Sequence, residues 1–184
     1  MTNEWNTGAL DMPRFAESGS AGHWQTPLSG LPRVQAACEP DAASAPTPLC
    51  DWSLLGQTRG NGARLQHWLQ LQASLTLTQR CQRCLEPMAV PLAVDRWFRF
   101  VATEALAEAQ DDEAEEDLLV TSRQFNLSGL IEDELLMALP LVPRHDTCPG
   151  DLKMAVADPG FDAHVPEKVH PFAALAKLRR GAAD

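Results

Sequence analysis

Two stretches of alternating apolar and polar residues, joined by a short cysteine-containing segment, constrain the fold of this chain most. With one exception each, apolar residues occupy every second position in residues 65–77 and again in residues 90–100. A period of two is the pattern of a half-buried strand. Residues 81–87 lie between the two stretches and predict a turn. The sequence therefore predicts a long antiparallel hairpin with Cys81 and Cys84 at its tip.

Further elements place this hairpin in an α+β domain. Leu49 to Gln57 predicts another strand, and Val34 to Cys38 predicts a shorter one. The clearest helix is predicted from Ser128, a good N-cap residue, to about Leu139, just before Pro140. We therefore expect a twisted antiparallel sheet with a long hairpin and one main helix packed on it.

The chain has 184 residues, which suits one domain with flanking segments. Residues 1–30 predict an irregular N-terminal arm, residues 31–150 a single core domain, and residues 151–184 a linker followed by a short basic helix. No early segment has the pattern of a secretion signal, and no apolar run approaches the roughly 20 residues that span a bilayer. We expect a cytoplasmic protein with no membrane partner.

The negative charge of the chain is concentrated in one segment. Residues 104–117 contain eight acidic residues and no basic one, and removing those eight charges from the net charge of −10 leaves −2 for the rest. Carboxylates at this density repel one another and bury little surface. We therefore predict a mobile acidic loop at 104–117, followed by an edge strand at Asp117 to Val120.

Two pairs of potential metal ligands have the spacing of a zinc site. Cys81 and Cys84 form a CxxC pair, and His145 and Cys148 form an HxxC pair. Four such ligands match the tetrahedral Cys3His set of structural zinc, with no ligand position left for a catalytic water. The alternative interpretation is that the cysteines are half-buried thiols at a turn and that His145 caps a helix end. A structural Zn²⁺ is the cofactor that this pattern predicts.

A second group of residues suits contact with nucleic acid. Arginines cluster on the predicted hairpin, which also carries Trp68 and Trp97, and arginine with aromatic residues on strands can pair with phosphates and stack on bases. The alternative is an ordinary solvated sheet face. The candidate RNA-binding residues are Arg80, Arg83, Arg96 and Arg99 on the hairpin and Lys177, Arg179 and Arg180 in the C-terminal helix.

No pattern in the chain predicts an enzyme. The Cys81–Cys84 pair is followed by Leu-Glu-Pro rather than by a helix, which disfavours a thioredoxin-like redox centre, and no His-x-Glu occurs, which excludes a zinc nucleobase deaminase. Phosphate-binding loops and nucleophile elbows are absent from the sequence. We interpret the adjacent acids Glu132, Asp133 and Glu134 as favourable charges near a helix N-terminus.

Several of these motifs together resemble the YceD family. The resemblance is carried by Cys-Gln-Arg-Cys-Leu at 81–85, Asp-Glu-Leu-Leu-Met-Ala-Leu-Pro at 133–140, Cys148, and Pro-Phe-Ala-Ala-Leu at 171–175. The resemblance implies a bacterial cytosolic factor that supports the synthesis, processing or stability of large-subunit 23S ribosomal RNA. It implies no catalytic residues.

These observations lead to one expected function and two alternatives. We expect a non-enzymatic ribosome-biogenesis factor that contacts ribosomal RNA or an assembling large ribosomal subunit. One alternative is an rRNA-processing hydrolase or nuclease accessory, which would need converging carboxylates or a Lys/His pair in a cleft. The other is a protein adaptor whose acidic loop binds a basic large-subunit ribosomal protein.

Overall fold

The structure, a computed structural model, describes residues 5–39 and 47–150, and its elements belong to one compact unit. The elements in chain order are α1 (Met12–Glu17), β1 (Ala21–Pro27), α2 (Pro32–Ala36), β2 (Leu49–Arg59), β3 (Gln66–Arg80), β4 (Pro87–Val101), α3 (Glu104–Asp111), β5 (Asp117–Val120) and α4 (Leu127–Met137), with short 3₁₀ turns at Leu28–Gly30 and Gly62–Arg64. This combination confirms the predicted α+β class.

The five strands form one sheet in the order β1-β2-β3-β4-β5. The first four are antiparallel neighbours, whereas β5 lies parallel to β4 along Phe98–Val101. The sheet is therefore mixed rather than wholly antiparallel as predicted. The reason is that α3 connects β4 to β5 and returns the chain, so β5 enters the sheet in the same direction as β4.

The predicted hairpin is confirmed. β3 and β4 pair from His67 with Phe100 at its base to Arg80 with Pro87 at its tip. One face of the hairpin carries the apolar residues that the alternation predicted, and the helices α1, α2 and α4 cover the same core. The residues of this face that are most deeply buried are Leu69, Leu71, Leu75, Leu77, Leu92 and Phe98.

Helix α4 is confirmed with a different first residue. It begins at Leu127, and the side chain of Asn126, not that of Ser128, caps it by accepting a hydrogen bond from the N–H of Gly129 at 3.0 Å. Leu127, Ile131 and Leu135 are buried, as their helical spacing predicts. The helix thus packs against the sheet and ends before the segment that leads to His145.

The N-terminal region is more regular than predicted. Residues 1–30 include α1 and β1. β1 extends the sheet by pairing antiparallel with β2, and Trp24 stacks on Trp52 across this pair with ring centroids 4.6 Å apart. The strand predicted at Val34 to Cys38 is wrong, since helix α2 occupies Pro32–Ala36. A carboxylate oxygen of Glu132 accepts hydrogen bonds from the backbone N–H groups of Arg33 at 2.7 Å and Val34 at 3.4 Å. This tertiary contact satisfies the N-terminus of a helix too short to be stable alone.

The segment predicted as a mobile acidic loop is folded. Residues 104–111 form α3, the side chain of Thr103 caps the helix by accepting from the N–H of Leu106, and Ala107 is buried. Helix capping and ion pairs with arginines on β4 offset the mutual repulsion of the carboxylates. Residues 104–117 are therefore a helix and a connection to β5, not a loop.

Candidate metal centre at the hairpin tip

The two predicted ligand pairs reach the hairpin tip from distant parts of the chain. Cys81 follows the last residue of β3, and a tight turn returns the chain to β4 through Leu85, which adopts a left-handed conformation with φ of 64°. The N–H of Cys81 donates to the carbonyl of Glu86 at 2.9 Å and closes the turn. The N–H of Gln82 donates to the carbonyl of Pro143 at 2.8 Å. That bond ties the turn to the segment that carries His145.

All four predicted ligands converge. One ligand atom from each of Cys81, Cys84, His145 and Cys148 lies within 4.8 Å of the others. The sulfurs of Cys81 and Cys148 are 3.8 Å apart, and the sulfur of Cys84 is 3.3 Å from Nδ1 of His145. A tetrahedral zinc with bonds of about 2.3 Å to sulfur and about 2.0 Å to nitrogen separates its ligands by about 3.5 to 3.8 Å. The donor set and its spacing therefore fit a tetrahedral ion.

The pKa values of the Cys81 and Cys84 thiols show which thiolate the protein's own groups stabilise. Burial opposes ionisation of Cys81, but hydrogen bonds from the backbone N–H groups of Cys84, His145 and Arg83 lower the pKa of that thiol to about 5. Burial and the neighbouring sulfurs of Cys148 and Cys81 raise the pKa of Cys84. The protein's own groups thus stabilise the thiolate of Cys81, whereas the thiolate of Cys84 requires an added positive charge. A divalent cation would supply it.

Arg83, a candidate RNA-binding residue, is held within the cluster. Its Nε donates to the sulfur of Cys148 at 3.0 Å, and its Nη2 donates to the carbonyls of His145 at 2.9 Å and Asp146 at 3.3 Å. The hydrogen bond to Cys148 raises the pKa of Arg83 further above its ordinary value. Sequence analysis did not predict this contact, although the position of Arg83 inside the CxxC turn was a signal for it.

The other candidate arginines of the hairpin have intramolecular partners. Arg80 pairs with Glu39, with Nε 3.1 Å from a carboxylate oxygen. Arg96 pairs with Asp117 and lies 3.6 Å from the carboxylate of Glu134.

Arg99 is the most enclosed of the four. It is buried and pairs with Glu116, and its Nη1 donates to the side chain of Gln110 at 2.8 Å. Lys177, Arg179 and Arg180 lie outside the described residues. The four hairpin arginines therefore do not form one solvent-facing row.

A different aromatic arrangement lies at the base of the hairpin. The guanidinium of Arg59 stacks 3.8 Å from the ring centroid of Trp68 and 4.6 Å from that of Trp97. Sequence analysis placed both tryptophans among the arginines but did not identify Arg59 as the residue that stacks on them. Among the helices that the structure describes, none is long and apolar enough to cross a membrane.

Comparisons with known proteins agree with the arrangement of these elements in the sequence. The family model described as large ribosomal RNA subunit accumulation protein YceD matches residues 69–179, a range that includes most of the hairpin, α4 and all four candidate ligands. No solved structure matches the chain.

A curated relative supports the same assignment. A protein of Haemophilus influenzae with that name is 31% identical over 103 residues, which cover 54% of this chain and 58% of the relative. The match thus spans less than two thirds of the relative's length. Because the family model covers well over half of the sequence, the chain belongs to the YceD family of large ribosomal RNA subunit accumulation proteins.

Proposed function

We propose that this chain is a non-enzymatic, cytoplasmic factor that supports the accumulation of 23S ribosomal RNA. The observation that carries the proposal is the family match over residues 69–179, together with the name of the Haemophilus influenzae relative. The factor acts in the synthesis, processing or stability of the RNA, and its partner is ribosomal RNA or an assembling large ribosomal subunit.

The hairpin tip supports a structural rather than a catalytic role for a metal. The four ligands complete a tetrahedral Cys3His set, which leaves no ligand position for a reacting water. A zinc ion held there would join the tip of the hairpin to the segment that follows α4. In this proposal zinc fixes the shape of one end of the domain and performs no chemistry.

Contacts elsewhere in the described residues favour a non-enzymatic factor over a hydrolase. His23 and Asp51 form one candidate acid–base pair, with 3.7 Å between Nε2 and a carboxylate oxygen, but both side chains are exposed. His67 and Glu17 form another at 3.2 Å, and the Glu17 side chain is exposed. The hydroxyl of Ser53 nearby donates to Gln72 and not to His23. A hydrolytic site needs a nucleophile in reach of its base and protection from water.

The exposed carboxylates support a second candidate partner, a basic large-subunit ribosomal protein. Glu116 and Asp117 form ion pairs with Arg99 and Arg96. In the described part of the chain, the other six acids of residues 104–117 are exposed and form no ion pair. They form an acidic surface around α3 that suits a cationic protein and repels RNA phosphates.

Complementation of a bacterial strain that lacks its own family member tests the main proposal. The full chain is expected to restore the ratio of 23S to 16S ribosomal RNA, and a failure to change that ratio at normal protein level would contradict the proposal. Crosslinking in the complemented strain then separates the two partners. Crosslinks to 23S RNA support direct binding, whereas crosslinks from α3 to a ribosomal protein, with none to RNA, support the adaptor.

A further inference from the structure

The contacts of Arg83 differ in kind from those of the other hairpin arginines. Arg80, Arg96 and Arg99 pair with carboxylates, whereas Arg83 points its donors at one sulfur and two backbone carbonyls of residues 145–148. The carbonyls belong to His145 and Asp146, and the sulfur belongs to Cys148. One side chain from the turn between Cys81 and Cys84 thus contacts both members of the second ligand pair.

From this geometry we infer that Arg83 is a positioning residue of the metal centre, which orients the His145–Cys148 segment and neutralises the Cys148 thiolate. The inference rests on the proposed zinc site. A zinc ion with three thiolates and one neutral imidazole carries a net negative charge, and one guanidinium cancels it. Arg83 therefore belongs to the metal centre rather than to an RNA-binding surface.

The shape of the guanidinium matters as well as its charge. Its planar fork presents Nε and Nη2 in fixed directions, so a single side chain meets the sulfur of Cys148 and the carbonyl of His145 together. A lysine at this position would keep the charge but would donate from a single nitrogen. Groups that hydrogen-bond to metal ligands in this way typically change metal affinity by about 10- to 100-fold.

Titration of the chelator-treated full chain with Co²⁺, followed by displacement with Zn²⁺, tests the inference. We expect Arg83→Gln to weaken metal binding by about 10-fold or more and to shift the thiolate-to-cobalt absorption to lower energy, because the Cys148 sulfur loses a hydrogen-bond donor. Arg83→Lys is expected to recover part of the affinity. Arg144→Gln is the matched control, since among the described residues the exposed Arg144 side chain beside His145 forms no hydrogen bond or ion pair with a ligand.

The outcomes separate the two proposals. If wild-type protein binds Co²⁺ without thiolate-to-cobalt absorption, the proposed zinc site is contradicted. Wild-type protein with that absorption, together with an Arg83→Gln variant of unchanged affinity and spectrum, would overturn the role of Arg83 alone. Full recovery by Arg83→Lys would overturn the role of the fork. If Arg83→Gln does not fold, the affinity and spectrum of Arg83→Lys relative to Arg144→Gln decide the question.

Discussion

The two ends of the β3–β4 hairpin both gather polar and ionisable groups, but only one end balances its own charge. At the base, Arg99 meets Glu116 and Arg96 meets Asp117, so the buried cation and the exposed one each have a carboxylate partner. At the tip, three thiols and an imidazole meet with Arg83 as their cationic neighbour. The base is complete as protein alone, whereas the tip has donor atoms for a cation that the protein does not supply.

This difference separates a structural ion pair from a ligand site. Burying a charge without a partner is costly, so four donor atoms at this compact spacing suit a cation that would pair with the thiolates. The base of the hairpin, with its matched pairs, indicates no ligand. The hairpin arginines form three carboxylate pairs and one sulfur contact, and RNA binding by them stays a prediction.

The largest expected effect comes from removing a ligand at the tip. Cys81→Ser should abolish stoichiometric zinc and lower the free energy of unfolding by more than about 3 kcal/mol, because metal binding contributes roughly 10 kcal/mol in zinc-finger peptides. Metal analysis and thermal unfolding measure both effects. Cys38→Ser, which removes a thiol outside the cluster, should retain the zinc. Wild-type protein purified without chelators and free of zinc would contradict the prediction.

The next effect is expected at the base. Glu116→Gln removes the ionic partner of Arg99, whose side chain is only 11% exposed, and should lower the free energy of unfolding by about 2 kcal/mol. Urea denaturation measures the change. Glu113→Gln neutralises an exposed acid of the same segment without removing an ion pair and should change stability by less than about 0.5 kcal/mol. Equal effects of the two variants would mean that the Glu116–Arg99 ion pair adds no stability, as expected if residues 104–117 were the loop that their composition predicted.

A smaller effect is expected from Leu85 in the turn at the tip. Its φ of 64° is unfavourable for a residue with a Cβ, and its side chain is 63% exposed, so little packing is lost with it. Leu85→Gly should therefore raise the free energy of unfolding by about 0.5 kcal/mol, after the greater freedom of glycine in the unfolded chain is counted. A clear loss of stability, measured on the metal-loaded protein, would show that Leu85 contributes packing at the tip.

The smallest effect concerns Glu134 on α4. Burial raises the pKa of this carboxyl, although Arg96 opposes the shift. A raised pKa in the folded state stabilises the protein below the unfolded pKa, and this stabilisation is lost as the pH rises through the folded value. Glu134→Gln should thus gain slightly in stability relative to wild type as pH rises through that range. A gain that is instead largest in acid would show that the ion pair with Arg96 outweighs burial.

Parts of the fold that depend on local pattern were predictable. The alternation of residues 65–77 and 90–100 predicted the hairpin, because a period of two admits one buried face. The spacing of Leu127, Ile131 and Leu135 predicted α4, because apolar residues four positions apart lie on one face of a helix. The two ligand pairs were predicted from short spacings, since two residues three positions apart in a turn can reach one ion.

Parts of the fold that depend on distant contacts were not predictable from pattern. Helix α2 was predicted as a strand because its N-terminal cap comes from Glu132, about 100 residues further along the chain. Residues 104–117 were predicted as a loop because their carboxylates were counted without the arginines of β4 that pair with two of them. In both cases a contact with a distant part of the chain overrode the local composition.

The sequence by itself determined the hairpin, the main helix and the identity of four candidate ligands, because each follows from the order of neighbouring residues. Only the tertiary structure decided which charges are satisfied. Arg83, Arg96 and Arg99 are the same residue type on one hairpin, yet their partners are a sulfur and two carboxylates contributed by other segments. A side chain's charge is local, but the partner that compensates it is set by the fold.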